Sequence, residues 1–140
     1  MKTILTIMTS LLAMTMATSC YRNNVAPNAE PAKGNVTTQK VEHFQQTIEQ
    51  DNTLLIDVRT PKEFADGHIA NAINIDVNQP GFADNPTFGT SKKRHAIAVY
   101  CRSGKRSLKA ANILAGKGFT VYNLDGGILA WQQSGKPTTK

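Results

Sequence analysis

The sequence predicts an α/β domain with a central parallel sheet of four to five short strands and helices on both faces. Short apolar runs rich in β-branched residues, typical of buried strands, recur along the chain. Segments with helical spacing lie between them, and this alternation is typical of a parallel sheet covered on both faces. A length of 140 residues favours one domain.

The first half of the domain is predicted to contain two helices and two strands. Apolar residues at helical spacing predict a helix over 38–50, and TLLIDV predicts a buried strand ending at Asp57 or Val58. TPKEF has the threonine, proline and glutamate of a capping box, so a short helix is expected after Thr60. AINI predicts a brief second strand, followed by a long surface loop over 76–94.

The second half repeats the alternation and introduces a cysteine. HAIAVY predicts a third strand with Cys101 at its carboxyl end. SLKAANILAGKG predicts a helix from Ser107 whose inner face carries Leu108, Ala111 and either Leu114 or Ala115, and glycines end it. FTVYNL predicts a fourth strand and ILAWQQSG a last short helix.

The first 19 residues have the anatomy of an export signal of the lipoprotein type. Lys2 precedes an apolar stretch over 4–16, which is too short for a transmembrane helix of about 20 residues, and ATS then leads to Cys20. The segment resembles bacterial lipoprotein signals, in which the cysteine is acylated and becomes the first residue. It predicts a membrane-anchored protein of the bacterial cell envelope. The alternative is an ordinary secretory signal, with Cys20 left free or removed.

The segment 20–35 is polar, contains prolines and lacks periodicity, so it predicts a flexible tether before a domain over 36–140. The net charge of +6 raises the possibility of nucleic-acid binding. No basic helix or aromatic-studded basic strand repeats along the chain, so no nucleic-acid partner is expected. The histidine and cysteine spacing suggests no metal site, and no cofactor is expected.

Cys101 is the candidate nucleophile. The chain has two cysteines, so acylation of Cys20 leaves Cys101 without a partner, and an unpaired thiol in an exported protein requires a functional reason. Amides of the short following turn and the positive end of the next helix can both favour the thiolate. Alternatively, Cys101 is a small buried apolar residue, but burial would bring the neighbouring cations inward at a high cost.

Three stretches resemble single-domain rhodanese sulfurtransferases: LIDVRTPKEFADGHIANAINI at 55–75, VYCRSGKRS at 99–107 and LDGGILAW at 124–131. The resemblance implies a rhodanese-like fold in which Cys101 attacks the outer sulfur of thiosulfate or of a persulfide. The resulting Cys101 persulfide would pass its sulfur to cyanide or a thiol. The sequence departs from the family at Asn71, often glycine, and at Asp76, commonly proline.

The loop after Cys101 is predicted to bind the anionic donor. Its cations suit a dianion, and its glycine lets backbone amides turn inward without a steric cost. The serines either donate further hydrogen bonds or act only as turn and cap residues. The predicted substrate-binding residues are Arg102, Ser103, Gly104, Lys105, Arg106 and Ser107.

The resemblance also implies that Asp57 and Arg59 support the active loop from beneath. Asp57 is expected to hold the loop or Arg59, and Arg59 to pair with Glu63 or lie along the pocket wall. His68 is expected to anchor a turn rather than act as a base. Trp131 is expected to pack in the core.

Two other functions remain open. Phosphatases and arsenate reductases of the same fold need an arginine six positions after the cysteine, where this chain has Ser107. A non-enzymatic persulfide carrier, sensor or binding module is the second alternative.

Overall fold

The computed structural model describes residues 33–90 and 96–140, and the predicted signal with Cys20 lies outside them. One parallel sheet has the strand order β1-β5-β4-β2-β3. The strands are β1 (Val36–Gln39), β2 (Thr53–Asp57), β3 (Ile73–Asn74), β4 (Ala96–Tyr100) and β5 (Val121–Leu124). The helices are α1 (Val41–Ile48), α2 (Pro61–Asp66), α3 (Pro86–Thr90), α4 (Lys105–Gly116) and α5 (Gly127–Gln133), with a 3₁₀ helix at Phe82–Asp84.

Helices cover both faces of this sheet, which confirms the predicted fold class. On one face, Ala111 and Leu114 of α4 pack against a cluster that includes Ile56 and Val99. On the other face, α1 and α5 contribute a second cluster, which includes Phe44 and Trp131. None of the helices in the described ranges has the length and apolar content needed to span a membrane.

The amino-terminal end differs from the prediction. The first strand was not predicted, and Thr37 and Thr38 pair with β5, so the helix expected over 38–50 covers only α1. Thr38, which was predicted to begin the helix, is instead hydrogen-bonded in the sheet, so the helix begins later, at Val41. Before β1, the Gly34 amide donates to the Ala115 carbonyl, so chain contacts with the domain begin inside the predicted tether.

Helix α4 begins at Lys105, two residues before the predicted start at Ser107, because Gly104 turns the chain with a φ of 98°. Leu108 was predicted to face inward, and this is wrong: its side chain is 43% exposed. Ala111 and Leu114 are buried as predicted. Leu108 lies at the flank of the buried stripe, where sequence periodicity alone does not decide between inside and outside.

The surface loop predicted over 76–94 is largely structured in its described part. Phe82 and Phe88 are buried, and their rings meet edge to face with centroids 5.4 Å apart. These aromatic side chains hold the 3₁₀ helix and α3 against the core. The sequence around them has no regular period, so the prediction missed them.

Candidate active site

Cys101 follows the carboxyl end of β4, between β5 and β2 in the middle of the sheet. Cys101 is only 1% exposed, while Arg102 and Lys105 near it are exposed, so the expectation that its burial would bring the neighbouring cations inward is wrong. Ligand sites of parallel sheets collect at this edge because the following loops diverge there. The loop from Cys101 to Gly104 then leads directly into α4.

Hydrogen-bond donors surround the Cys101 sulfur. Sγ accepts a hydrogen bond from the Gly104 amide at 3.1 Å. The Ser107 hydroxyl lies 3.4 Å from Sγ and 3.1 Å from the Gly104 carbonyl oxygen, so its one proton is shared between these two acceptors. Burial by itself raises the pKa of the thiol, but the hydroxyl of Ser107 and the amides of Ser107, Gly104 and Ser103 outweigh burial and lower the pKa below its ordinary value. The site therefore favours a thiolate.

The start of α5 fixes the direction of the loop's peptide groups. The Ile128 amide donates to the Cys101 carbonyl at 2.9 Å, and the Leu129 amide to the Arg102 carbonyl at 3.2 Å. A Cβ at Gly127 would lie 2.4 Å from the Arg102 carbonyl oxygen, so only glycine fits at this φ of 60°. The LDGGILAW stretch contained this signal, but sequence reasoning gave its glycines no role.

Arg106 does not point freely toward a donor, because Glu63 holds it. Nη1 and Nη2 of Arg106 donate to the two Glu63 carboxylate oxygens at 2.8 and 2.7 Å. Glu63 also completes the capping box with Thr60, which confirms the predicted start of α2. The hydrogen bonds from Arg106 are the main cause that lowers the pKa of Glu63 to about 2. Sequence reasoning missed this link between α2 and α4.

Arg102, Ser103 and Lys105 form the exposed rim of the loop. None of the ion pairs formed among the described residues includes Arg102 or Lys105. Of the three cations predicted to meet a donor, these two remain available, whereas Arg106 is half-buried in its pair with Glu63.

Asp57 and Arg59 form a buried pair beneath the edge of the sheet. Asp57 accepts hydrogen bonds from the Arg59 amide and guanidinium at 2.6–3.0 Å. Arg59 also donates to the Gly67 carbonyl at 2.7 Å and lines a cavity of about 210 Å³ that Arg102 borders. Of the two positions expected for Arg59, the structure has the one along a pocket wall. The other, a pair with Glu63, does not form, because Glu63 binds Arg106.

The two departures and His68 lie in local turns. Asn71 adopts a left-handed φ of 66°, a conformation that glycine and asparagine tolerate best. Asp76 accepts a hydrogen bond from the Asn78 amide at 2.9 Å. His68 contacts the Phe64 carbonyl through Nδ1 at 3.0 Å and stacks on the Phe64 ring, which is the anchoring position expected for it.

Trp131 is buried as expected, and its indole N–H donates to the Pro137 carbonyl at 2.9 Å. Across residues 33–90 and 96–140, no group of three or more histidine, cysteine, aspartate or glutamate side chains is arranged to hold a metal ion.

Comparisons with known proteins agree with this geometry. The rhodanese-like domain model matches residues 40–134. Thiosulfate sulfurtransferase 16, chloroplastic, of Arabidopsis thaliana is 41% identical over 92 residues, which cover 59% of this chain and 77% of the relative. An uncharacterized Synechocystis protein is 36% identical over 98 residues, which cover 69% of this chain and 52% of that protein, so the match spans about half of its length.

A solved structure has the same fold. The solution NMR structure of the rhodanese-like domain from an Anabaena protein superposes with a TM-score of 0.62 at 27% identity and covers 79% of this chain and 80% of that chain. The matched family model spans strands β2 to β5, the Cys101 loop and α5, while β1 lies before it. This chain therefore belongs to the rhodanese-like domain family.

Proposed function

We propose that this protein is a sulfurtransferase that carries sulfane sulfur as a Cys101 persulfide. The observation that carries the proposal is the cage of donors around Sγ, which lowers the thiol pKa although the residue is buried. Relatives named sulfurtransferases are among the matches and support the same class of reaction. Thiosulfate is the proposed donor because the exposed rim cations suit a dianion.

In the proposed first step, the Cys101 thiolate attacks the outer sulfur of thiosulfate. A new sulfur–sulfur bond forms, the bond within thiosulfate breaks, and sulfite leaves with the electron pair. Cys101 then carries a persulfide anion, which the loop amides stabilise as they stabilised the thiolate. Attack by cyanide on the outer sulfur releases thiocyanate and regenerates the Cys101 thiolate, so no external oxidant or reductant is consumed.

Two observations argue against phosphate ester hydrolysis. The sixth position after Cys101 is the buried Ser107, which cannot clamp a tetrahedral oxyanion as an arginine would. Arg106, one position earlier, is already paired with Glu63. A carrier or binding module without turnover is the second candidate, and turnover with cyanide separates it from an enzyme.

The central prediction concerns the intact mass of the protein after incubation with thiosulfate. The wild-type chain should gain one sulfur atom and lose it on addition of cyanide, with thiocyanate released over many turnovers. Cys101→Ser should gain none, because serine cannot form a persulfide, and should keep the wild-type circular dichroism spectrum. Hydrolysis of aryl phosphates without sulfur uptake would contradict the proposal, and uptake without turnover would favour the carrier.

Ser107 is predicted to control the pH dependence of sulfur uptake. Removing its hydroxyl in Ser107→Ala takes a hydrogen bond from the thiolate, so the thiol pKa rises and the rate profile with thiosulfate shifts to higher pH. Ser103→Ala is the matched control, because Ser103 acts on the thiol through its backbone amide, which alanine retains. Equal profiles for the two variants would contradict this role of the Ser107 hydroxyl.

The loop cations are predicted to have two different roles: Arg102 and Lys105 bind the donor, and Arg106 stabilises the fold. Arg102→Gln and Lys105→Gln should each raise the KM for thiosulfate about fivefold, the effect of an exposed charge contributing about 1 kcal/mol, and should weaken the salt dependence of the rate. Arg106→Gln breaks the pair with Glu63 and should cost about 1–2 kcal/mol of unfolding free energy in urea titrations. An Arg106 effect confined to KM would refute this division.

We also propose that the domain is exported and anchored to a bacterial membrane through Cys20. The support is the amino-terminal sequence, in which small residues precede Cys20. Labelled fatty acid should enter the wild-type chain in cells and should not enter Cys20→Ala. Equal labelling of both proteins would rule out this anchor.

A further inference from the structure

Two exposed leucines flank the active loop. The large apolar side chains most exposed among the described residues are Leu108 at 43%, Ile73 at 42% and Leu129 at 40%. The Leu108 amide donates to the Gly104 carbonyl at 3.1 Å, and the Leu129 amide donates to the Arg102 carbonyl at 3.2 Å. Leu108 and Leu129 are thus hydrogen-bonded through their backbone amides to the loop that carries Cys101, and both residues remain partly exposed.

Unpaired cations accompany these leucines. Lys105, Leu108 and Lys109 share one exposed face of α4, since they lie at positions i, i+3 and i+4. Arg102 is exposed on the loop itself, and neither it nor the two lysines forms an ion pair with a described carboxylate. We name the docking face by its residues, which are Arg102, Lys105, Leu108, Lys109 and Leu129.

The carboxylates around this face leave its charge positive. Glu63 is bound by Arg106, and Asp125 is bound by Lys40. Asp66 borders the cavity that Arg102 and Leu129 also line. Asp76, whose charge acts on Arg106, is buried. The three unpaired cations therefore leave the face positive, and an acidic partner complements it.

The face is larger than a small donor requires. Lys109 lies about 6 Å further along the axis of α4 than Lys105 and is therefore further from a thiosulfate held at Cys101. Two leucines also contribute nothing to binding a dianion. We propose that the face docks a sulfur-accepting protein whose reactive cysteine lies in an acidic surface with an exposed apolar side chain. This proposal rests on the sulfurtransferase function proposed above.

The transfer to such a partner is balanced. The partner's thiol gives its proton to the Cys101 persulfide anion and, as a thiolate, attacks the outer sulfur; the persulfide bond breaks, and Cys101 leaves as the thiolate. The partner gains the sulfur and the proton as its own persulfide. Cys101 is 1% exposed, so the attacking thiol must be guided to it, and contacts around the loop can provide this guidance.

An anionic membrane would also complement cations and leucines, but a protein partner fits better. A membrane seated on this face would cover the loop that carries Cys101 and exclude a water-soluble donor. A protein partner that dissociates leaves this loop free between turnovers.

Two synthetic nonapeptides test the proposal on the full chain. Each has a central cysteine between glycines and a leucine at each end, and the other four residues are glutamates in one peptide and lysines in the other. With persulfidated protein at low salt, the glutamate peptide should accept sulfur at least about tenfold faster than the lysine peptide. The difference should shrink in about 0.5 M NaCl.

Matched variants locate the effect on the docking face. Lys109→Glu and Leu108→Gln should each slow transfer to the glutamate peptide about fivefold and leave transfer from thiosulfate to cyanide unchanged. Lys33→Glu and Ile73→Gln, which change an exposed lysine and an exposed apolar residue outside the face, should alter neither rate. Equal transfer to both peptides, or a Lys109→Glu variant with wild-type selectivity, overturns the proposal.

A binding experiment without sulfur transfer tests the docking face independently of the sulfurtransferase function. Fluorescence anisotropy with Cys101→Ser and labelled peptides, whose cysteine is replaced by serine, should still show tighter binding of the glutamate peptide. Selective binding without any sulfur transfer supports the face and refutes the proposed function. Lys109-dependent binding to phosphatidylglycerol vesicles, with no selectivity between the peptides, overturns the protein partner in favour of a membrane.

Discussion

The hydrogen bonds between the start of α5 and the Cys101 loop are the constraint on which the site depends. A peptide plane that turns its carbonyl toward α5 turns its amide the other way, so these bonds orient the loop's amides toward the sulfur. Gly127 makes the approach possible, since any side chain there would overlap the Arg102 carbonyl. The start of α5, which carries no reacting group, therefore helps to set the electrostatics of the thiol.

A second constraint joins the cap of α2 to the loop. Glu63 closes the capping box with Thr60 and holds Arg106 with the same carboxylate, so a local helix signal also fixes a side chain of α4. Asp57 and Arg59 form a separate buried pair, in which several hydrogen bonds compensate the charge of each side chain. An unpaired buried charge would have no such compensation. The cationic character of the rim thus comes from the residues left outside these pairs.

The sequence predicted the alternation of strands and helices, the capping box and the position of Cys101 because each is visible in residues close together in the chain, and the alternation implies a parallel sheet. It did not predict β1, because Thr37 and Thr38 become a strand only by pairing with β5, far along the chain. For the same reason it assigned Arg106 to the donor and missed Glu63 as its partner, 43 residues away. Leu108 was wrongly predicted to face inward because it lies at the edge of the buried stripe of α4, where helical spacing does not separate core from solvent positions.

Burial and activation of Cys101 oppose each other, and their balance explains the division of labour at the site. Withdrawing the sulfur from water raises the thiol pKa, so the donors near Sγ must first overcome desolvation before they favour the thiolate. The same burial protects an unpaired thiol from oxidants and limits which groups can reach it. Selection of partners must then occur on the surface around the Cys101 loop, where charged and apolar side chains can contact a molecule before its reacting atom reaches Cys101. The recessed nucleophile and the exposed rim are two consequences of one arrangement.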